Sequence, residues 1–220
     1  MSPAKRRKKT PSAPVEPVLD ALAQRYPHPE CALIHRNPFE LLVATILSAQ
    51  TTDERVNTVT PGLFAAYPDA ATLAKANLVD LQEIVRPLGF WRRRASQLLE
   101  LGQILDAEYG GEVPQESELL EQLPGVGRKT ANVVRGNCFN QPAITVDTHV
   151  GRLARRWGWT ESKNPVVAEK DLAKIWPAPE LTDICHRVIL FGREVCHSRG
   201  PECEVCPILQ FCPQIGVANS

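Results

Sequence analysis

The sequence predicts an all-α protein, and three observations carry that reading. Apolar residues recur at close to a 3.6-residue period in several segments, capping residues stand at the starts of those segments, and alternating strand patterns are nearly absent. Ala143–Val146 is the one brief strand candidate. Pro38–Ala49 is almost continuously apolar at its centre (Leu41, Leu42, Val43, Ala44, Ile46, Leu47), which suits a buried central helix. Asp69 after Pro68 and Asn77 before Leu78 read as N-caps, and Asn77 with Asp80 resembles a capping box. Trp91–Tyr109 carries apolar residues at Ala95, Leu98, Leu99 and Leu105, and Gly110–Gly111 is expected to end it. Thr182–Cys196 is a further helical stretch, its apolar side made by Ile184, Val188, Leu190 and Phe191.

Charge and composition bound the function without choosing it. The 25 basic and 25 acidic residues cancel, which argues weakly against a nucleic-acid binder, because neutralising phosphates usually leaves a basic excess. Local clusters point the other way: Lys5–Lys9, Arg92–Arg94, and Arg152, Arg155 and Arg156 at helical spacing. Any of these could equally be a solvated face. No apolar run approaches the roughly 20 residues that cross a bilayer, and the basic, proline-rich leader lacks the apolar block of a secretory signal. An intracellular protein with no membrane partner is expected. Cytoplasm of a prokaryote, with nucleoid association, is the favoured address; a eukaryotic source would imply nucleus or mitochondrion.

The most informative stretch is Glu118–Asn137, ELLEQLPGVGRKTANVVRGN. A short helix over Leu119–Leu123 meets Pro124-Gly125-Val126-Gly127, and a second helix is expected from Arg128, with Ala131, Val133 and Val134 inward. The two glycines permit a tight positive-φ turn and a close approach of backbone to a phosphate. Orphan amides at the start of the second helix add an anion site. Val126 is expected to plug back between the helices. The pattern reads as a helix–hairpin–helix, an element that binds the DNA backbone. Lys129 falls in the first turn of the second helix, where the macrodipole disfavours a cation and suits an amine used as a nucleophile. Downstream, Asp147 in Ile144–Val150 could cap a further helix, serve Lys129 as a proton acceptor, or do both. His149 is as plausibly a structural histidine as a site residue.

Four of the seven cysteines, Cys196, Cys203, Cys206 and Cys212, lie in the last 25 residues, a clustering that favours metal binding over disulfides without a secretory signal. Four thiolates at this spacing suit a tetrahedral zinc or an iron–sulfur cluster. One C-x-x-C bracketed by single cysteines leans towards iron–sulfur. Cys31, Cys138 and Cys185 read as small buried hydrophobes.

LPGVGRKTANVV followed by VDTHV resembles the endonuclease III family of helix–hairpin–helix DNA glycosylases, and the likeness runs from about Ala21 to Cys212. The resemblance implies that Lys129 is the nucleophile, that Asp147 assists it, and that Gly125, Val126, Gly127 and Arg128 contact DNA, with His149 a further candidate. The six-two-five cysteine spacing is that of the family's single four-iron, four-sulfur (4Fe-4S) cluster, so the four cysteines become its ligands. Leu47–Asp53 is similar to the family's L-S-A-Q-[AT]-T-D segment, which carries to Gln50 the role of filling the hole left by a flipped nucleotide. Leu88-Gly89-Phe90-Trp91 matches the helix-opening wedge at Phe90, where many relatives have an aliphatic residue; plain core packing is the alternative. Gly151, inside a helical stretch, has no functional account.

The implied fold is two helical domains with the active-site cleft between them. A helical bundle over 31–141 would hold the hairpin; 15–30 with 142–220 would form the iron–sulfur cluster domain; 1–14 would be a disordered basic leader. The implied activity is that of a bifunctional glycosylase and abasic-site lyase acting as a monomer on double-stranded DNA with damaged pyrimidines or abasic sites. An adenine-specific mismatch glycosylase is disfavoured, because those relatives lack the hairpin lysine and carry a glutamate where Thr45 stands. A non-catalytic DNA-binding module would need neither Lys129 nor Asp147, and a zinc scaffold would leave the hairpin unexplained.

Overall fold

Short polar residues (Asn37, Thr52, Asp69, Asn77, Asp147 and Asn164) cap the starts of six helices. In the computed structural model, which describes residues 11–217, eleven α-helices and four short 3₁₀ turns account for the regular structure, and no strand forms among the described residues. The strand candidate at Ala143–Val146 is therefore an extended linker; its end is turned by the Asp147 amide, which donates to Thr145 O at 3.2 Å. The chain divides into two compact units, residues 30–143 and residues 1–29 with 144–220.

The contiguous unit is built from seven helices. Helix α2 (Pro38–Leu47) is buried along its whole length and is capped by Asn37, whose side chain accepts from the Glu40 amide. Around it lie α3 (Asp53–Ala66), α4 (Ala70–Ala74), α5 (Leu78–Val85), α6 (Trp91–Tyr109), α7 (Ser117–Leu120) and α8 (Arg128–Cys138). Asp69 does cap α4, with the reciprocal Thr72 bond completing a capping box, and Asn77 caps α5 through the amides of Val79 and Asp80. Helix α6 ends at Gly110 and Gly111, both at positive φ, where the Gly111 amide returns to Leu105 O. Leu41, Leu42, Leu47, Leu63, Leu81, Leu98, Leu101 and Leu105 form a dry core.

Gly102 lets α4 and α6 touch backbone to backbone. A methyl group there would sit 2.7 Å from the Ala74 nitrogen and 2.9 Å from the Leu73 carbonyl carbon. The expected result for Gly102→Ala is a net loss of about 2 kcal/mol, overpacking exceeding the gain in helix propensity, read as a melting temperature about 5 °C lower.

The other unit joins the two ends of the chain. Helices α1 (Val15–Arg25), α9 (Thr148–Arg156), α10 (Pro165–Leu172) and α11 (Leu181–Glu194) enclose a second core. Trp157, Trp159, Trp176 and Phe191 form a tilted and edge-to-face aromatic stack inside it, with Trp157 and Trp159 centroids 4.7 Å apart. The expected disordered leader is corrected in part. Residues 1–10, with the Lys5–Lys9 run, lie outside the described residues, but Ala13 is only 2% exposed. Its amide donates to Trp157 O at 2.7 Å, and its carbonyl accepts from the Trp159 indole at 2.9 Å. Two hydrogen bonds and a buried methyl thus order the segment that its proline content suggested would be loose. Gly158, at φ +73°, leaves room for it: a side chain there would strike Pro11 O.

Candidate active site and cysteine centre

The hairpin forms as its sequence implies, with three corrections: its first helix is Ser117–Leu120 and not Leu119–Leu123, Val133 is not fully inward, and Gly127 is extended. After α7 the chain turns through Leu123, whose amide donates to Leu120 O, and Val126, whose amide donates to Leu123 O at 3.1 Å. Leu120, Leu123 and Val126 are buried with Ala131 and Val134 of α8, so Val126 is the plug between the two helices. Val133 is only partly buried. Of the two glycines only Gly125 has positive φ (+78°). It fits closely, since a Cβ there would lie 3.2 Å from Ile46 of α2 and 3.4 Å from Gln97 of α6. Gly127 is extended (φ −109°, ψ 178°) and serves as the N-cap of α8; a Cβ there would meet nothing within 4 Å. Its role is open space in front of the helix, not an unusual backbone angle.

Helix α8 has no side-chain cap, and its first backbone bond back into the turn is from the Ala131 amide to Gly127 O at 3.0 Å. The Lys129 and Thr130 amides, just ahead of Ala131, have no partner within the helix. Lys129, second residue of α8, is exposed, as is Arg128.

Two other loops of this unit carry exposed residues in left-handed backbone. Gln50 (φ +61°) sits in the turn closed by the Thr51 amide and Ser48 O, just before the Thr52 cap of α3. Phe90 (φ +46°) follows Gly89 and precedes α6, and it is 68% exposed. Core packing is thereby ruled out for Phe90. Thr45 is buried within α2, its hydroxyl donating to Leu41 O at 2.7 Å.

Sequence reasoning missed a residue that connects these loops. Arg94 is 4% exposed. Its Nε donates to Gly89 O at 2.8 Å, Nη2 to Ala49 O at 2.7 Å, and Nη1 to Leu47 O. Burial holds its guanidinium below the usual arginine range. Nothing in the Arg92–Arg94 run distinguished this side chain from its exposed neighbours.

In the other unit Asp147 is the N-cap of α9, its Oδ1 accepting from the Val150 amide at 2.8 Å. His149 packs against Gly192 and lies 3.1 Å from Arg152 Nη2. Burial lowers its pKa, with Asp147 opposing and Arg152 reinforcing the effect. Gly151, unexplained in sequence, is an ordinary residue of α9 without positive φ; a Cβ there would lie 3.2 Å from Arg155 and 3.5 Å from Val146.

Cys196, Cys203, Cys206 and Cys212, all half-buried, line a single cavity of about 340 Å³ including its mouth, backed by Trp157, Phe191, Val195 and Leu209. Short 3₁₀ turns at Cys203–Val205 and Leu209–Phe211 bring the last three inward. Two arginines hold the first. Arg156 Nη1 donates to Cys196 Sγ at 3.0 Å and His197 O at 2.7 Å, and Arg152 Nη2 to Cys196 O at 2.9 Å and Gly192 O at 2.8 Å. Of the Arg152–Arg156 cluster, then, these two side chains turn inward onto the cysteine loop. Burial raises the Cys206 and Cys212 thiols, and the neighbouring cysteines add to the rise. Among the described residues no three His, Cys, Asp or Glu converge as the shell of one metal ion.

A buried hairpin plug, a helix without a side-chain cap but with an exposed lysine, and a four-thiol cavity define a helix–hairpin–helix protein with a cysteine centre. Residues 43–178 match the HhH-GPD superfamily of base excision DNA repair proteins. Endonuclease III of Synechocystis sp. is 45% identical over 197 residues, spanning 89% of this chain and 90% of that protein. Chains from a non-covalent endonuclease III–DNA complex and from a trapped endonuclease III–DNA covalent intermediate each superpose with TM-score 0.86 at 43% identity, over 91% of this chain and 94% of theirs. The chain belongs to the endonuclease III family of the HhH-GPD superfamily.

Proposed function

We propose that the chain is a bifunctional DNA glycosylase and abasic-site lyase of base excision repair that removes oxidised pyrimidines from double-stranded DNA. The observation that carries this reading is the exposed Lys129 amine in the first turn of α8, beside amides left without helix partners and the open face of Gly127. A phosphate received by those amides, with Gly125, Val126 and Arg128 shaping the approach, would hold the strand next to the amine.

The chemistry follows from an amine meeting C1′ of a flipped nucleotide. Lys129 Nζ forms a bond to C1′ as the glycosidic bond breaks and the base leaves with a proton. The second proton on nitrogen passes to O4′ as the C1′–O4′ bond breaks, which opens the sugar and gives the Schiff base. Removal of a C2′ proton then expels the 3′ phosphate, breaking C3′–O, and water releases the lysine. Asp147 is assigned the acceptor of the lysine proton and the counter-charge to the cationic sugar. Gln50 and Phe90 are assigned the space vacated in the duplex, and His149 a packing role beside α11.

The donor set fits one 4Fe-4S cluster held by Cys196, Cys203, Cys206 and Cys212: four soft thiol ligands ring a cavity instead of converging on one ion, which favours it over a single zinc. Held by four protein thiolates, such a cluster would supply structure and not catalysis.

Asp147 has two duties that substitution separates. Asparagine at this position would cap α9 as well as aspartate does, whereas alanine would not. The expected result for Asp147→Asn is unchanged melting with turnover down about 10²–10⁴-fold, and for Asp147→Ala a further stability loss of about 1 kcal/mol. Equal turnover in Asp147→Asn and the parent would reduce Asp147 to a cap.

The test of the whole reading is borohydride trapping on duplexes carrying a thymine glycol or an abasic site. Trapping on both supports the bifunctional enzyme. Trapping on the abasic duplex alone would remove the glycosylase half, and none on either would leave a binding module.

A further inference from the structure

We propose that Arg94 is a positioning residue that sets, through one guanidinium, the two exposed loops presenting Gln50 and Phe90. The inference rests on the reading of those two residues as the groups that enter the opened duplex, and it names what holds them ready.

The carbonyls that Arg94 binds are not arbitrary. Ala49 O belongs to the peptide plane joining residue 49 to Gln50, and Gly89 O to the plane joining residue 89 to Phe90. Each plane is one end of the φ rotation of the residue that follows it, so holding the plane restrains that angle. Gln50 and Phe90 are two of only four non-glycine residues at positive φ among the described residues, a conformation that L side chains rarely adopt. Arg94 holds the plane ahead of each one. Its Nε and Nη groups lie in one rigid plane, so the two loops are set relative to one another and not independently. The third bond, to Leu47 O, ties that plane to the end of the buried helix α2.

Helix stability does not explain the placement. Arg94 is the fourth residue of α6, where the macrodipole disfavours a cation, and burying a guanidinium against neutral carbonyls is itself costly. A second arginine acts on the same loop from outside: Arg55 of α3 donates to Pro87 O. The loop before α6 is thus braced from two helices, and only Arg94 reaches both loops.

The experiment uses the full-length, cluster-loaded protein and a duplex with 2-aminopurine opposite a tetrahydrofuran abasic analogue. Emission of the orphan base reports whether side chains have filled the gap beside it. The parent protein is expected to change the emission on binding, and Gln50→Ala/Phe90→Ala to lose that change. Arg94→Lys keeps the charge but not the planar fork. It is expected to bind undamaged duplex within about threefold of the parent, to lose more than about half of the emission change, and to weaken abasic-duplex binding no further in the Gln50→Ala/Phe90→Ala background.

A full emission change in Arg94→Lys overturns the inference while leaving the reading of Gln50 and Phe90 intact. Equal weakening of binding by Arg94→Lys in both backgrounds also overturns it, since a merely structural arginine would act that way. A full emission change in Gln50→Ala/Phe90→Ala removes that reading and the inference with it. Arg94→Met, which keeps the length without donors, should show the larger loss; should it fail to fold, Arg94→Lys alone decides.

Discussion

Lys129→Gln is expected to abolish borohydride trapping on every substrate and to lower strand cleavage by at least ~10³-fold, the scale of removing a covalent nucleophile. The substitution is clean. Lys129 is exposed, glutamine is close to lysine in helix propensity, and taking a cation from the first turn of α8 relieves a small unfavourable interaction with the macrodipole. Melting should therefore hold or rise slightly. Binding to an uncleavable abasic duplex should persist within about tenfold, because the backbone amides of the hairpin are untouched. A variant that still forms a trapped adduct would place the Schiff base on another amine and dissolve the assignment.

Cys206→Ser should produce the largest change in the protein itself. Cys206 stands between the two 3₁₀ turns that bring three of the four thiols inward. Beyond the Arg152 and Arg156 bonds at its start, this segment is lightly secured: Ile208 is the one apolar side chain between residues 196 and 217 that is fully buried, and the Ile215 amide reaches back to Arg156 O. Metal ligation in such a loop is folding energy. Iron and sulfide content should fall to near zero, the brown colour should vanish, and the unit containing both chain ends should melt several degrees earlier. The contiguous unit has its own core and should keep its transition. Undiminished iron and colour in Cys206→Ser would sink the four-thiol assignment.

The sequence was most legible where chemistry and local geometry coincide. Trp91–Tyr109 could be bounded to the residue because glycines end it, and Val126 could be placed as the hairpin plug because an apolar residue between two glycines has one sterically sensible place. The cysteine group was legible for a similar reason, as ligands must be close in space. Arginines were not. A basic triplet looks the same whether it is solvated or whether one member turns inward, as Arg94, Arg152 and Arg156 do, because their carbonyl partners are backbone atoms that leave no mark in sequence. Phe90 was ambiguous because aromatic residues ordinarily go inside, and only the left-handed backbone after Gly89 turns it out. Gly127 was misread because glycine can serve either a backbone angle or an empty volume, and sequence does not say which.

The pairing of Ala13 with Trp157 and Trp159 has a consequence for synthesis. One unit is a single run of chain, residues 30–143, while the other needs residues 11–29 and everything from 144 onward. As the chain leaves the ribosome, its N-terminal segment emerges first yet has no partner until more than a hundred further residues have appeared. The lysine-bearing unit can mature early, whereas iron and sulfur, on the four-thiol assignment, can be delivered only after Cys212 is out. On that assignment, cluster assembly follows synthesis of the whole lysine-bearing unit and never precedes it.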